Sequence, residues 1–422
     1  MRKFYMLSLL ALVWVVAATS ASAQNYYTKQ VIIVNGGDYG NPDDYVTVAS
    51  YDPVSGQTTE FATIYTQSVQ DVLIVPPFAY VATQDSIVKL NIDTYEKVAT
   101  VLAQGVNKLV TNGDVLVASF WYPVTENFVR TYSLDDLSLL HEFGDVSDEA
   151  AGMMVMQGDY VLVAVPGAYG STTGKVAVID LVNNEVMSED DFGAFFTGIG
   201  YFAENNGLVN LFMKTPYGGS VFNVATVDYA GEIVDEYTHD GALANSSGQM
   251  GAKMYLELNN GIGEYDLNTH EITDTALVAP QEMSIAASVL DTVNQLFYIT
   301  TTDYYSAGAG FIYNMDGEQT GSFEAGISAQ AIAVDYREAT GIAEQPAHIA
   351  LSVYPNPAQK AINLNIPVGG QTDQMVVTDI TGKIVYEGMS SAKLDVSSLH
   401  AGLYFVTVHT GNTVYTGKFI KN

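Results

Sequence analysis

The chain has 422 residues, of which 48% are hydrophobic and 11% aromatic, so disorder is excluded and two or three domains are expected. Its 47 acidic and 16 basic residues leave a formal net charge of −31. This balance excludes a nucleic-acid binder, because such a protein needs a basic surface to face phosphates. The absence of cysteine excludes disulfides, thiolate metal sites and an anchor on a lipidated cysteine.

The first 23 residues have the pattern of a cleaved secretory signal peptide. Arg2 and Lys3 precede an apolar run from Met6 to Ala18, and Ala21-Ser22-Ala23 places small residues before the predicted cut. The apolar run is too short for a transmembrane helix, which needs about 20 residues. We therefore assign residues 1–23 to a signal peptide and expect no transmembrane segment in the mature chain.

Residues 24–336 repeat one strand pattern seven times. Each copy contains a β-rich run that ends in an acidic turn, and further β-rich runs precede and follow this run. The aspartates that end the pattern are Asp52, Asp93, Asp135, Asp180, Asp228, Asp266 and Asp316. Four strands per repeat of about 44 residues predict an all-β fold with a seven-bladed β-propeller. An α/β fold is disfavoured, because the sequence lacks amphipathic helical patterns between the strands.

The order of the runs also predicts how the ring closes. The first repeat begins at Val31–Val34 with the second strand of a blade, and the last is followed by a spare strand, Ala329–Asp335, that would complete blade one. Each repeat aspartate is expected to cap amides in the turn between strands three and four, and not to act in catalysis. With Tyr80–Thr83 (YVAT) and Ala177–Asp180 (AVID), the segment resembles the YVTN or surface-layer type of seven-bladed propeller.

Candidate ligand-binding residues lie mainly in the loops between the second and third strands of each repeat. These loops share one face of a propeller with the inter-blade loops, and five of them are long and aromatic. Rigid rings can stack on a flat or sugar-like ligand, although the same side chains can also cover strand ends. We predict ligand binding by seven residues of these loops and by Phe196 of an inter-blade loop, the seven being Tyr39, Trp121, Tyr122, Tyr169, Tyr217, Tyr304 and Tyr305.

Catalytic and metal-binding motifs are missing from the propeller segment. Its histidines, His141, His239 and His270, fall in different repeats without metal-ligand spacing, and no zinc-protease or serine-hydrolase motif occurs. The run Gly167–Lys175 imitates a phosphate loop, but Val176 replaces the required Ser or Thr. We therefore predict no catalytic residue, metal or cofactor, while carboxylate chemistry at acidic pairs stays open.

Residues 350–422 show short apolar alternations separated by turn signals, which predict a small Ig-like β-sandwich. Four motifs follow one another: Tyr354-Pro-Asn-Pro357, Asp379-Ile-Thr-Gly-Lys383, Leu399-x-x-Gly402-x-Tyr404-x-Val406 and Lys418-Phe-Ile-Lys421. In this order they strongly resemble the type A C-terminal sorting domain of the type IX (Por) secretion system of Bacteroidetes. The resemblance implies a linker at 337–349 that contains the processing site. It also implies sorting roles for Pro355, Asn356, Pro357, Asp379, Gly382, Gly402, Tyr404, Lys418 and Lys421.

The same resemblance implies partners and an address. The secretion machinery and a sortase-like peptidase would handle the tail, and the cargo would be secreted or placed on the cell surface after periplasmic transit. Residues 24–340 carry 9 basic and 42 acidic residues, hence a net charge of −33, which favours a neutral or cationic ligand over a polyanion.

Three functional hypotheses remain open. The first is non-enzymatic binding of an extracellular small molecule, such as a corrinoid, or of a glycan; propellers of similar appearance include cobalamin-capturing surface proteins. The second is adhesion to a surface protein, and the third is a polysaccharide lyase or hydrolase on the same propeller face. Fold alone does not choose among them.

Overall fold

The computed structural model describes residues 26–156, 159–215, 219–229, 231–339, 347–364, 374–379, 383–389, 391–410 and 413–422. The chain divides into two compact units, Met1–Glu338 and Ala339–Asn422. Among the described residues the one helical element is a single turn, Ala194–Phe196, and no helix is long and apolar enough to cross a membrane.

The described residues of the first unit form 28 strands. In chain order they are β1 (Tyr26–Asn35), β2 (Val46–Asp52), β3 (Gln57–Ile64), β4 (Val69–Val75), β5 (Phe78–Thr83), β6 (Ser86–Asn91), β7 (Glu96–Leu102), β8 (Val106–Thr111), β9 (Val115–Phe120), β10 (Val129–Ser133), β11 (Leu139–Phe143), β12 (Met153–Val155), β13 (Tyr160–Val165), β14 (Lys175–Asp180), β15 (Glu185–Asp191), β16 (Ile199–Asn205), β17 (Leu208–Met213), β18 (Val221–Asp228), β19 (Ile233–Asp240), β20 (Leu243–Met250), β21 (Lys253–Leu258), β22 (Gly261–Asp266), β23 (Glu271–Val278), β24 (Ser284–Asp291), β25 (Leu296–Thr302), β26 (Ala307–Asn314), β27 (Gln319–Ile327) and β28 (Ala331–Glu338).

These strands form seven antiparallel sheets of four strands each, as the repeat predicted. Blades two to seven take four consecutive strands, beginning with β4, β8, β12, β16, β20 and β24. Blade one has the order β28-β1-β2-β3, with Val31 opposite Val334 and Ile33 opposite Ile332. The predicted closure is therefore confirmed: the last strand of the unit supplies the innermost strand of the first blade.

The core of the ring consists of wedges between neighbouring blades. Each of seven buried clusters draws side chains from two adjacent blades, for example Ile32 and Val46 of blade one with Val81 and Leu90 of blade two. The middle strands are therefore apolar on both sides, whereas outer strands such as β3 are mostly exposed or half-buried. We call the edge of the ring that carries the inter-blade loops and the loops between second and third strands the top face, and the opposite edge the bottom face.

The bottom-face turns between third and fourth strands confirm the capping role of the repeat residue but correct its position. The repeat aspartate accepts hydrogen bonds from turn amides in four blades, at Asp52, Asp180, Asp228 and Asp266. In the other three, the amide acceptor stands two residues before the aspartate, at Asn91, Ser133 and Asn314. Any short side chain with an oxygen atom can accept these bonds, so the turn requires an aspartate, asparagine or serine rather than aspartate alone.

A charged network holds blades one and two together where the ring closes. The carboxylate of Asp335, which is fully buried, accepts hydrogen bonds from Arg337 (Nε, 2.6 Å) and Gln30 (Nε2, 2.9 Å). Asp93 of blade two accepts from Arg337 (Nη2, 2.8 Å) and from Lys29 (Nζ, 2.6 Å). We call Lys29, Gln30, Asp93, Asp335 and Arg337 the closure clasp.

The second unit has two sheets around one core. Its strands are β29 (Ala347–Ala350), β30 (Val353–Tyr354), β31 (Ala361–Leu364), β32 (Gln374–Asp379), β33 (Ile384–Met389), β34 (Lys393–Asp395), β35 (Gly402–Thr410) and β36 (Thr413–Lys421). The sheet orders are β29-β36-β35-β32-β33 and β30-β31-β34. Ile362 and Leu394 of the small sheet share a buried cluster with Val377 and Phe419 of the large one. β28 ends at Glu338 and β29 begins at Ala347, so both enter the predicted linker range.

Candidate functional site: the top face and channel of the propeller

Backbone hydrogen bonds tie the top-face loops of blades one to three together. Loops between second and third strands alternate around the ring with inter-blade loops. A backbone N–H of each loop donates a hydrogen bond to a backbone carbonyl of the loop before it, over 2.7–3.2 Å. The chain of bonds runs through Ser328, Gly36, Ser68, Gln84, Gly105 and Trp121. Because these bonds join neighbouring blades, this part of the top face is a fixed platform on which side chains can be displayed.

Six of the eight predicted ligand residues are exposed or half-exposed on the top face: Tyr39, Trp121, Tyr122, Tyr169, Tyr304 and Tyr305. They belong to blades one, three, four and seven. Among the described residues, no ring contact joins any two of the six. The structure thus presents separate exposed aromatic rings rather than one continuous stack of rings. The seventh, Tyr217, lies outside the described residues.

Phe196 corrects the prediction, because its side chain is fully buried. The helical turn Ala194–Phe196 directs it between blades four and five, where its ring meets Phe192 at 4.7 Å and Phe195 at 5.6 Å between centroids. Gly174 allows this close packing, since a Cβ at that position would lie 1.8 Å from the Phe196 carbonyl oxygen. Phe196 therefore serves the core and offers no surface to a ligand.

A polar cleft of about 470 Å³ lies beside Trp121 in blade three. Arg130 forms part of its wall, stacks over the Phe120 ring at 4.3 Å and pairs with Glu142 at 3.1 Å. The remaining lining residues are Gln104, Pro123, Val124, Thr125, Glu126 and Asn127. Because its cation is already paired, the cleft offers the amides of Gln104 and Asn127, the hydroxyl of Thr125 and the carboxylate of Glu126.

A polar cluster in the upper half of the central channel was missed by the sequence analysis. Lys214 follows β17 in blade five, and its Nζ donates to Oδ1 of Asn245 on β20 at 2.5 Å. Asn245 also hydrogen-bonds the carboxylate of Glu257 on β21. Ser288 of β24 donates to the same carboxylate at 2.6 Å and lies 2.7 Å from Ser247. We call these five residues the channel cluster; it joins blades five, six and seven.

Backbone contacts fix the position of Lys214. Its amide donates to the carbonyl of Gly198 at 2.8 Å, and the next amide, of Thr215, donates to Leu243 at 3.2 Å. Its side chain runs across Gly200, where a Cβ would lie 2.8 Å from the lysine Cε. A side chain at position 200 would therefore collide with the lysine stem on its way to the channel.

Burial sets the protonation of the cluster. Desolvation, with a smaller contribution from the positive charge of Lys108, lowers the pKa of Lys214 to about 8, although the charge of Glu257 acts in the opposite direction. Desolvation raises the pKa of Glu257, although the bond from Ser288 and the charge of Lys214 work in the opposite direction. Burial and the charge of Glu257 also raise the pKa of Tyr201, whose hydroxyl donates to Asn245 O. Perturbed groups of this kind in a cleft are candidates for a functional site.

Two of the three propeller histidines, although distant in sequence, share one cluster on blades five and six. Tyr237 stacks on His270 at 4.5 Å, and Tyr265 meets His239 edge-on at 5.4 Å. Desolvation lowers the pKa of both histidines. Among the described residues no group of three or more His, Asp or Glu side chains could hold a metal ion. The histidines and tyrosines of this cluster pack as aromatic rings.

The predicted sorting residues gather around the last strands of the second unit. Asn356 accepts from the Ile420 amide and donates to the Lys418 carbonyl, which ties the first motif to the last. Tyr404 is buried, stacks on Phe419 at 5.5 Å between centroids and donates to His400 O.

Most of the other predicted sorting residues lie next to these residues. Asp379 lies opposite Tyr404, Gly402 lies opposite Lys421, and Pro355 and Pro357 flank Asn356. Gly382 lies outside the described residues.

Comparisons with known proteins agree with this architecture. Residues 352–422 match the family described as "Secretion system C-terminal sorting domain". No curated protein matches the chain.

Solved structures resemble the propeller. The periplasmic gluconolactonase PpgL of Pseudomonas aeruginosa is 11% identical, with a TM-score of 0.56, 74% of this chain and 99% of that chain covered. A candidate 6-phosphogluconolactonase of Bacteroides uniformis is 10% identical, with a TM-score of 0.56 and coverages of 73% and 100%. One of Bacteroides fragilis is 12% identical, with a TM-score of 0.53 and coverages of 73% and 98%. At these identities the likeness concerns the fold alone. The protein is thus a type IX-exported protein, secreted or placed on the cell surface, with a β-propeller followed by a C-terminal sorting domain.

Proposed function

We propose that the exported propeller binds a small neutral ligand of the sugar class at its top face. The channel cluster supplies the polar contacts, and the exposed aromatic loops supply stacking surfaces nearby on the same face. The observation that carries the proposal is the channel cluster itself. It places an amine, an amide, a carboxyl group and two hydroxyls within one connected network.

The exposure of the cluster supports access by a ligand. Asn245 is exposed and Lys214 is partly exposed, whereas Glu257 is buried beneath them. Asn245 and Lys214 can therefore exchange a hydrogen bond within the cluster for one to a ligand, while the buried Glu257 keeps its position. Alternating donors and acceptors suit sugar hydroxyls, each of which both donates and accepts.

The aromatic residues and the charge of the propeller support the same ligand class. Exposed rings such as Trp121 and Tyr305 can stack on the apolar face of a sugar ring. The net charge of −33 on residues 24–340 repels polyanions, so a neutral glycan fits better than an acidic one.

Native mass spectrometry of the purified protein with a panel of methyl glycosides and non-reducing oligosaccharides tests the proposal. We expect at least one to bind with a dissociation constant below about 1 mM, or about −4 kcal/mol. Lys214→Met should weaken that binding about tenfold, and Trp121→Ala or Tyr305→Ala by a smaller factor.

A matched control is Tyr95→Ala, which removes a half-exposed ring from a bottom-face turn and should leave binding unchanged. Equal weakening by Tyr95→Ala and Trp121→Ala would refute a top-face site. Cobalamin should be titrated in parallel. If cobalamin bound at micromolar concentration and no glycoside bound, the ligand would be assigned to the corrinoid class instead of the sugar class. Binding of neither would overturn small-ligand capture in favour of adhesion to a protein.

A further inference from the structure

We propose that Lys214 is a reactive amine that forms an imine with the carbonyl group of a small aldehyde, such as the open-chain form of a reducing sugar. This inference rests on the proposed function, because it concerns the same channel site. It goes beyond binding, since it assigns a covalent and reversible step to one residue.

The surroundings of Lys214 differ from those of most propeller lysines. Its amine is held by the neutral oxygen of Asn245, and the ion pairs of the described residues do not include it. Lys29, Lys108, Lys175 and Lys253 each have a carboxylate within 4.0 Å. An amine without a counter-ion in a partly buried site gives up its proton more readily than a paired one, and the neutral amine is the nucleophile.

The residues around the amine are open to solvent. Gly200 leaves room for the stem of Lys214 beside β16, and Ala244, the neighbour of Asn245, is exposed. Asn245, the residue that holds the amine, is itself exposed. A small carbonyl compound can therefore reach the amine from the top face.

Asn245 and Glu257 place an acid close to the reacting amine. The amide of Asn245 bridges the two, because it accepts from Lys214 and hydrogen-bonds the carboxyl group. Burial raises the pKa of Glu257, which favours the protonated form that can donate. Lys108 supplies a second positive charge near Lys214, an arrangement that is known to activate amines.

The chemical step balances without an oxidant or reductant. The nitrogen lone pair attacks the carbonyl carbon and a C–N bond forms while the C=O π bond breaks; one proton then passes from the nitrogen to the former carbonyl oxygen to give a carbinolamine. The hydroxyl then leaves as water after it receives a proton from Glu257, and the nitrogen returns a proton to the carboxylate. The products are the imine and one molecule of water.

Reductive trapping tests the step on the complete protein. The chain is incubated with glycolaldehyde and sodium cyanoborohydride at pH 8, and modified lysines are located by peptide mass mapping. We expect Lys214 to be modified about tenfold faster than the exposed Lys97, because burial lowers the pKa of Lys214 to about 8 and so leaves a large fraction of its amine neutral at this pH. The rate at Lys214 should rise between pH 7 and 9 and then level off.

Modification of Lys214 no faster than Lys97, or a rate that still rises steeply above pH 9, would overturn the inference. Lys214→Arg should abolish the fast adduct, whereas Lys97→Arg should leave it intact. The methyl glycosides of the preceding test carry no free carbonyl, so binding of a glycoside without trapping would refute the imine and leave the proposed function standing. Trapping without glycoside binding would refute the proposed function and leave the reactive amine.

Discussion

The closure clasp and the channel cluster use the same types of groups in opposite ways. In the clasp each cation meets a carboxylate at 2.6–2.8 Å. Burial alone raises the pKa of Asp93, but hydrogen bonds from Arg337 and Lys29 outweigh it and lower the pKa, while the bonds to Asp335 raise that of Arg337. In the channel cluster Asn245 lies between the cation and the carboxylate, and desolvation lowers the pKa of Lys214 and raises that of Glu257.

This difference separates a structural network from a candidate site. Shifts that favour the charged forms stabilise the folded state, whereas shifts toward neutral forms cost stability at neutral pH. Groups whose pKa is shifted toward the neutral form are retained where they have a function that outweighs this cost, so they are candidates for functional residues. The two networks therefore predict different outcomes when a charge is removed.

Asp335→Ala should produce the largest loss of stability. It leaves the guanidinium of Arg337 and the amide of Gln30 without their buried acceptor at the point where blade one closes. Breaking a buried charged pair costs about 3 kcal/mol or more of the free energy of unfolding. Urea unfolding, followed by the circular dichroism of the strands, measures the loss.

The matched control for this change is Lys29→Met. Lys29 pairs with Asp93 from a partly exposed position, with 37% of its side chain accessible, so its removal should cost less than about 1 kcal/mol. If both variants lost the same amount, the clasp would not depend on its buried carboxylate.

Asp180→Ala should have an intermediate effect, because one carboxylate caps a whole turn. It accepts from the amides of Val182 and Asn183 and from the Asn183 side chain. Removing these bonds should lower the free energy of unfolding by about 1–2 kcal/mol. Thermal unfolding of Asp180→Ala and Asp135→Ala gives the comparison.

The aspartate at 135 is the matched control, since the corresponding turn amide is bound by Ser133. Its replacement should change the free energy of unfolding by less than about 0.5 kcal/mol. A loss as large as that of Asp180→Ala would show that the repeat aspartates act alike, as the sequence alone suggested.

These turns illustrate how far the sequence could predict the fold. Strand number, blade number and ring closure were predictable because they depend on apolar runs that recur with a constant period, such as Val31–Val34 and its counterparts. The capping residue was misplaced in three blades because the turn accepts aspartate, asparagine or serine at a position that periodicity does not fix. Asn91 lies only two residues before the conspicuous Asp93.

The candidate site was predictable only in part. Exposed loop aromatics could be recognised because aromatic residues between turn signals lie at loop tips, but Phe196 folds inward within a helical turn. The channel cluster has no local signal. Lys214 is a single lysine after an apolar strand, and Glu257 and Ser288 belong to later repeats. Only the arrangement of β20 and β24 beside the end of β17 brings them together.

Lys214→Met should have only a small effect on stability and so sharpens the comparison with the clasp. Methionine removes the cost of burying a charge but leaves Asn245 Oδ1 without its donor, and the two effects oppose each other. At pH 7 we expect the free energy of unfolding to change by less than about 1 kcal/mol.

The pH dependence tests the cause of that small change. Because the folded pKa of Lys214, about 8, lies below its unfolded value, the folded state binds fewer protons between these values and the wild type gains stability as pH rises through this range. The methionine variant lacks this group, so its stability should fall relative to the wild type from pH 8 to 10. A constant difference between the two proteins across that range would mean that the Lys214 amine keeps its proton in the folded state. The channel cluster would then be charged in the same way as the clasp, and the distinction between the two networks would fail.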